Sequence, residues 1–222
     1  MPRAARILGN DVTYHVVSNC NAKEFLFESD TDFKAFLKHL EKCRQNFFFD
    51  LHAYCLMQSH IHLILTTRQD IFLDKIMYEI CQRFSFQYNK THEREGHFWK
   101  NRYFSKAIKT DIHGLVCLRY LHLNPVKAGL INHPMQWPWS CVRNYASGES
   151  NAMLTPLPSY LGLAEDQTTR QKYYLRWLNS SRLLQQTEQK LIESKLRPNS
   201  RRFEQLLRLE VSPIIREIQT RM

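Results

Sequence analysis

Residues 47–67 read FFFDLHAYCLMQSHIHLILTT, two apolar runs rich in aromatic and β-branched residues and broken near Gln58-Ser59. Such runs favour extended backbone, and a short polar break between them predicts a β-hairpin with strands over about 47–57 and 60–67. Side chains of a strand alternate between its two faces, so His60 and His62 share one face. Ile61, Leu63 and Leu65 face the other way, toward a core.

The neighbouring segments extend this hairpin into a fold. Upstream, DVTYHVVS at 11–18 predicts a first strand. DTDFKAFLKHLEKCRQN at 30–46 predicts a helix, opening on the capping candidates Asp30 and Thr31 and setting Phe33, Phe36, Leu37 and Leu40 on one stripe. Downstream, FLDKIMYEICQRFSFQYNK at 72–90 spaces Leu73, Ile76, Met77, Ile80, Cys81 and Phe84 as a second amphipathic helix. A polar loop follows, then a strand in RYFSKAIKT at 102–110 and a helix in DIHGLVCLRYLHLNPV that is expected to stop at Asn124-Pro125. The order β-α-β-β-α-β-α predicts an α+β fold, ferredoxin-like or RRM-like, with an antiparallel sheet, helices on one face and the other face open to a ligand.

Five prolines between 125 and 158 mark a turn-rich stretch, and 166–222 reads as a basic helical C-terminal extension with breaks near Pro198 and Pro213. The expected division is a main domain at 1–147, a linker at 148–165 and the extension at 166–222. The chain of 222 residues carries a net charge of +10. The extension holds 12 basic against 6 acidic residues, and so more than half of the excess. A polyanion is the expected partner, nucleic acid first among them.

Six cysteines stand singly, without a C-x-x-C pair, which predicts buried reduced thiols and argues against a zinc finger. No apolar run approaches the roughly 18 residues of a membrane span, and the start lacks an apolar signal segment. A soluble cytoplasmic protein with no membrane partner is expected.

Two histidines at i and i+2 on a strand can reach one divalent ion, or can be ordinary hydrogen-bonded or surface side chains; the pair alone leaves both readings open. A histidine-triad hydrolase would place a third histidine where Ile64 stands. A two-histidine phosphodiesterase would place Thr or Ser two residues after each histidine, where this chain has His62 and Ile64. The second constellation is RYLHLNPV at 119–126: Tyr120 and Asn124, one helical turn apart, share a face, and His122 points away. A phenol and an amide oxygen can therefore face one target, near a helix C-terminus whose dipole favours a cation.

YCLMQSHIHLILTT, GHFWKNRYFSKAI, LRYLHLNPVKAGLI and PMQWPWSCVRNY, in this order, resemble the successive signatures of the HUH single-tyrosine (Y1) transposases, and specifically the REP-associated tyrosine transposases related to the IS200 group. The opening MPRAARILGNDVTYHVVSN is similar to that family's start, so the resemblance runs from about residue 3 to 145. It implies that His60 and His62 bind a metal, Mg²⁺ or Mn²⁺, that Tyr120 is the nucleophile, and that Asn124 takes the place of a polar third ligand, which is Gln in some members. Where the family often has Pro-Asn or Pro-Glu before the histidines, this chain has Gln58-Ser59.

The implied activity is a metal-dependent single-strand endonuclease and strand transferase that cuts beside hairpin-forming, REP-like repeats through a 5′-phosphotyrosine. The competing class is a repeat-binding protein that keeps the fold and has lost cleavage. The resemblance is compatible with a homodimer and with a monomer.

Candidate DNA contacts are Arg3 and Arg6 near the start, Arg94, Lys100, Arg102 and Lys106 interleaved with Trp99, Phe98, Tyr103 and Phe104, and Arg201 and Arg202 in RPNSRR. Cations neutralise phosphates and aromatic rings stack on unpaired bases; the alternatives are a solvated loop anchored by Trp99 and, for RPNSRR, a plain helix connector. Tyr88 and Tyr103 read as core or rim aromatics, and His92, His97 and His122 as DNA contacts or as packing and solvated side chains.

Overall fold

The hairpin forms as its pattern predicts, with β2 at Asp50–Leu56 and β3 at His60–Thr66. The computed structural model describes residues 9–21, 27–68 and 71–179. These divide into two compact units, one running up to Ala107 and taking in Met153–Thr155, the other running from Ile108 to Ala152 and from Pro156 onward.

The first unit holds β1 (Thr13–Asn19), α1 (Asp30–Phe47), the hairpin, α2 (Leu73–Tyr78), α3 (Phe84–Thr91) and β4 (Phe104–Ala107). Its strands form one sheet in the order β2-β3-β1-β4, with every neighbouring pair antiparallel. This is the ferredoxin-like arrangement expected from the element order. Ile61, Leu63 and Leu65 are fully buried with Tyr14 and Val16 of β1. Ser18 on that same face meets the Cys81 thiol, which places the helices there.

The cap of α1 lies one residue before the expected candidates Asp30 and Thr31. Ser29 is the cap: its hydroxyl accepts from the Asp32 amide, and the Asp32 carboxylate accepts from the Ser29 amide at 2.9 Å. The buried stripe is Phe33, Phe36, Leu40 and Cys43. Between α2 and α3 the helix widens into a π-turn over Glu79–Arg83, so the expected single helix over 72–90 is continuous but not uniform. The core between these helices and the sheet is aromatic: Phe36 and Phe84 meet edge to face at 4.8 Å, and Phe84 and Phe98 do so at 5.4 Å.

The second unit is built on α4 (Asp111–Lys127), capped by the Thr110 hydroxyl, with α5 (Val142–Ala146), α6 (Pro158–Leu161) and α7 (Gln167–Leu178). α4 is buried on nearly all sides from His113 to Leu123, as expected of a helix that is apolar all round. Arg119 is fully buried; its Nε donates to the Trp177 carbonyl at 2.8 Å and thereby satisfies the C-terminal end of α7.

The helix does not stop at Pro125. It runs to Lys127, and its end is set by Gly129 at φ +70: the Gly129 amide donates to the Val126 carbonyl and the Leu130 amide to the Pro125 carbonyl, a Schellman closure. Proline fits in the last turn because its ring costs one amide bond while its own carbonyl still closes the cap. No atom lies within 4 Å of a Cβ built at Gly129, so Gly129→Ala probes the backbone alone. It is expected to lower unfolding stability by about 1 kcal/mol, read from denaturant midpoints. An unchanged midpoint would show that the cap does not hold the helix end.

All six cysteines are free and buried, as their spacing predicted. No helix among the described residues is long and apolar enough to cross a membrane.

Candidate active site

The face of the sheet opposite the helices carries His60 and His62. Antiparallel register puts Val17 opposite His62 and Asn19 opposite His60, so these residues and His15 share that face. The His60 and His62 rings lie 4.9 Å apart at 79°, close enough to converge on one ion. Each ring has its Nδ1 engaged by the protein: His60 by the Ser59 hydroxyl at 3.2 Å, His62 by Nε2 of His15 at 3.3 Å.

Burial pushes the His60 pKa below the usual histidine value. Burial, with the Lys106 cation adding to it, brings His15 down to about 4. Both rings are therefore neutral at pH 7, the form in which imidazole ligates metals. The face is not open along its length: His60 is half-exposed, whereas His62 and Ile64 are buried. Among the described residues no cluster of three or more His, Cys, Asp or Glu is gathered for a metal. An ion on this histidine pair would complete its shell from amide, phosphate or water oxygens. Two imidazoles that converge on one face fit such an ion, and fit Mn²⁺ better than the harder Mg²⁺.

In the second unit, Tyr120 and Asn124 sit on one face of α4, both half-buried. The Asn124 Nδ2 donates to the Tyr120 carbonyl at 2.9 Å, which ties down its amide nitrogen and turns Oδ1 the other way, as an oxygen ligand requires. The Lys127 ammonium lies 4.4 Å from the centre of the Tyr120 ring.

His122 points into the core instead. Its ring nitrogens meet the Tyr174 hydroxyl at 2.6 Å and the Cys141 thiol at 3.3 Å, and burial pulls its pKa to about 3. Of its two readings, packing is the one realised. A free histidine takes up a proton below about 6.5 and folded His122 does not, so unfolding stability is complete above that pH and is lost as the pH falls toward 3. The expected loss is up to about 1.4 kcal/mol per pH unit, with His15 acting in the same direction. Urea midpoints at pH 7.5, 5.5 and 4.5 check this; a flat series would contradict it.

The DNA-contact candidates divide by burial. Lys100 and Arg102 are exposed, whereas Arg94 is half-buried and its Nη1 donates to Oδ1 of Asn89 at 3.4 Å. Trp99 is 8% exposed, and its indole N–H donates to the Cys81 carbonyl at 2.7 Å. It anchors the loop rather than offering a stacking surface. Phe98 is buried in the aromatic core, and Phe104, 56% exposed at the start of β4, is the open ring of this segment. Lys106 lies on the sheet face with the histidines, opposite His15, and is largely buried rather than on the loop's outer surface. Tyr88 is buried and stacked on His92 at 3.9 Å, and Tyr103 is half-buried. Arg3, Arg6, Arg201 and Arg202 lie outside the described residues.

Three side chains bearing on the site escaped sequence reasoning. His15 meets His62 only through the β1–β3 register, Lys127 reaches Tyr120 across two helical turns, and Arg119 acts on a helix 58 residues away. The even spacing of His15 from Thr13, Val17 and Asn19 was the one available signal.

A family model described as "Transposase IS200 like" matches residues 9–124, a span that begins just before β1 and contains both histidines, Tyr120 and Asn124. The chain belongs to the IS200-like transposase family. Within reach of this IS200-like chain is a Haemophilus influenzae protein provisionally named a REP-associated tyrosine transposase, 27% identical over 137 residues, which cover 57% of this chain and 76% of the relative. Among solved structures, a REP-associated tyrosine transposase bound to a REP hairpin shares the fold at a TM-score of 0.58 and 21% identity, covering 71% of this chain and 93% of the other.

Proposed function

We propose that this transposase cuts and rejoins single-stranded DNA beside a hairpin-forming, REP-like repeat, with Tyr120 as nucleophile and with His60, His62 and Asn124 holding Mg²⁺ or Mn²⁺. The observation that carries the reading is the converging His60–His62 pair, with His60 kept neutral by burial, in a chain of this family. The relative's name supports a REP-like repeat, and the solved neighbour, bound to a REP hairpin, supports the hairpin. Residues 1–147 are assigned the cutting and the basic extension at 166–222 a supporting contact with DNA.

In the cutting step the Tyr120 oxygen attacks the scissile phosphorus, the bond from phosphorus to the 3′ oxygen breaks, and that oxygen leaves as a 3′-hydroxyl once it has taken up a proton. One phosphodiester replaces another, so the product keeps the energy needed for rejoining without ATP. A phenol with a pKa of about 10 is ionised only about one part in a thousand at pH 7. A bound divalent ion would supply Lewis-acid polarisation of the phosphate. Asn124 holds its side chain beside the Tyr120 turn, and the Lys127 ammonium favours negative charge on the ring it faces.

Lys100, Arg102 and Arg94 are assigned to the phosphate backbone and Phe104 to an unpaired base. Lys100→Ala with Arg102→Ala is expected to weaken hairpin binding and to lower the slope of log affinity against log salt by roughly 1.5. An unchanged slope would remove both from the interface. The reaction itself is tested by incubating the full chain with Mn²⁺ and labelled hairpin oligonucleotides from the host genome: a covalent protein–DNA species is expected. Tight binding with no adduct on any such hairpin would favour the repeat-binding protein that has lost cleavage.

A further inference from the structure

The contact between His15 and His62 joins a candidate ligand to a buried residue with no assigned role. We infer that His15 is a positioning residue that fixes the tautomer of His62, so that the lone pair of His62 sits on Nε2 for the ion. This rests on the metal reading above.

The geometry follows from the sheet. His62 pairs with Val17 and His15 with Ile64, which makes His15 and His62 diagonal neighbours on one face, within reach for rings of this size. Their rings stack at 5.6 Å and 13°, with His15 Nε2 placed 3.3 Å from His62 Nδ1. Both are buried, at 1% and 3% exposure, so their preferred arrangement is shielded from exchange with bulk water.

A neutral imidazole has one N–H and one lone pair. When His15 accepts at Nε2, the proton of His62 is held on Nδ1 and its lone pair lies on Nε2. Were His15 the donor, His62 would carry its proton on Nε2 and would have to change tautomer before it could ligate. His60 follows the same plan through Ser59, since its Nδ1 is the engaged nitrogen there too. The two contacts differ in kind: a hydroxyl rotates to serve either tautomer, whereas a ring nitrogen that accepts admits one. His62 is thus the ligand whose orientation is set in advance, and outer partners of this type commonly change metal affinity by about 10- to 100-fold.

The decisive test needs no metal and reads the wild-type ring directly. Two-bond proton–nitrogen correlation of the histidine rings in the ¹⁵N-labelled full chain at pH 7.5, with His62 assigned by signal loss in His62→Gln, is expected to show His62 as the Nδ1–H tautomer. The Nε2–H tautomer would overturn the assignment. A second arm titrates Mn²⁺ without DNA, following free Mn²⁺ by electron paramagnetic resonance. His15→Phe keeps a stacked ring but no acceptor and is expected to weaken Mn²⁺ binding by about 10-fold or more. His15→Gln restores an acceptor and is expected to recover most of that loss. Equal affinity in a folded His15→Phe protein would overturn the proposal. A wild-type chain that takes up no Mn²⁺ would instead defeat the metal reading, and the tautomer result would still judge His15.

Discussion

Tyr120→Phe is expected to eliminate covalent adduct formation and strand cleavage, by at least about 10⁴-fold, while hairpin affinity stays within about threefold of wild type. The substitution removes one oxygen and keeps the ring, so the contact with the Lys127 ammonium at 4.4 Å survives. Helix packing survives too, because Tyr120 is half-buried and the neighbours that hold α4, such as Leu118, Leu121 and His122, are untouched. A stability change below about 1 kcal/mol is therefore expected. Full adduct yield in Tyr120→Phe would transfer the nucleophile to another residue, and Tyr103, half-buried in the loop ahead of β4, would be the first to examine.

The second large effect is expected from His60→Ala. His60 is half-exposed and its ring meets the Ser59 hydroxyl of its own chain neighbour, so its loss costs the fold little. Without it the ion loses one of two imidazole nitrogens, and cleavage in Mn²⁺ is expected to fall by roughly 10²- to 10³-fold. Chelation with EDTA is expected to stop the wild-type reaction, and added Mn²⁺ to restore it. Because the basic loop contacts act independently of the ion, hairpin binding should persist in both cases. Cleavage that continues in EDTA, or that is unchanged in His60→Ala, would exclude the histidine pair as the ion-holding group.

The element order was legible because apolar periodicity differs between strand and helix, and because Gln58-Ser59 breaks the hairpin run where one long strand would otherwise have been read. The shared face of His60 and His62 was legible for the same reason: period two depends on neighbours in sequence. What escaped detection depends on distant residues or on end chemistry. Proline at 125 suggested a helix stop, yet the stop is made by the left-handed conformation of Gly129, which lets the Leu130 amide donate to the Pro125 carbonyl and close the helix. Trp99 stood among cations as a base-stacking ring, but the Cys81 carbonyl and the aromatic core claim it. Arg119 gave no sign of burial because an arginine in a helix normally faces water; only the α7 C-terminus explains it. His15 needed the β1–β3 register, which no local pattern encodes.

The central claim is that Tyr120 joins DNA through its phenolic oxygen. The most direct measurement digests the protein–hairpin adduct with trypsin and nuclease and locates the remaining phosphonucleotide by mass spectrometry. The expected result is a single modified peptide, the one containing Tyr120, with the phosphate on that side chain. A nucleotide found on Tyr103, Tyr88 or any other residue, with Tyr120 unmodified, would contradict it.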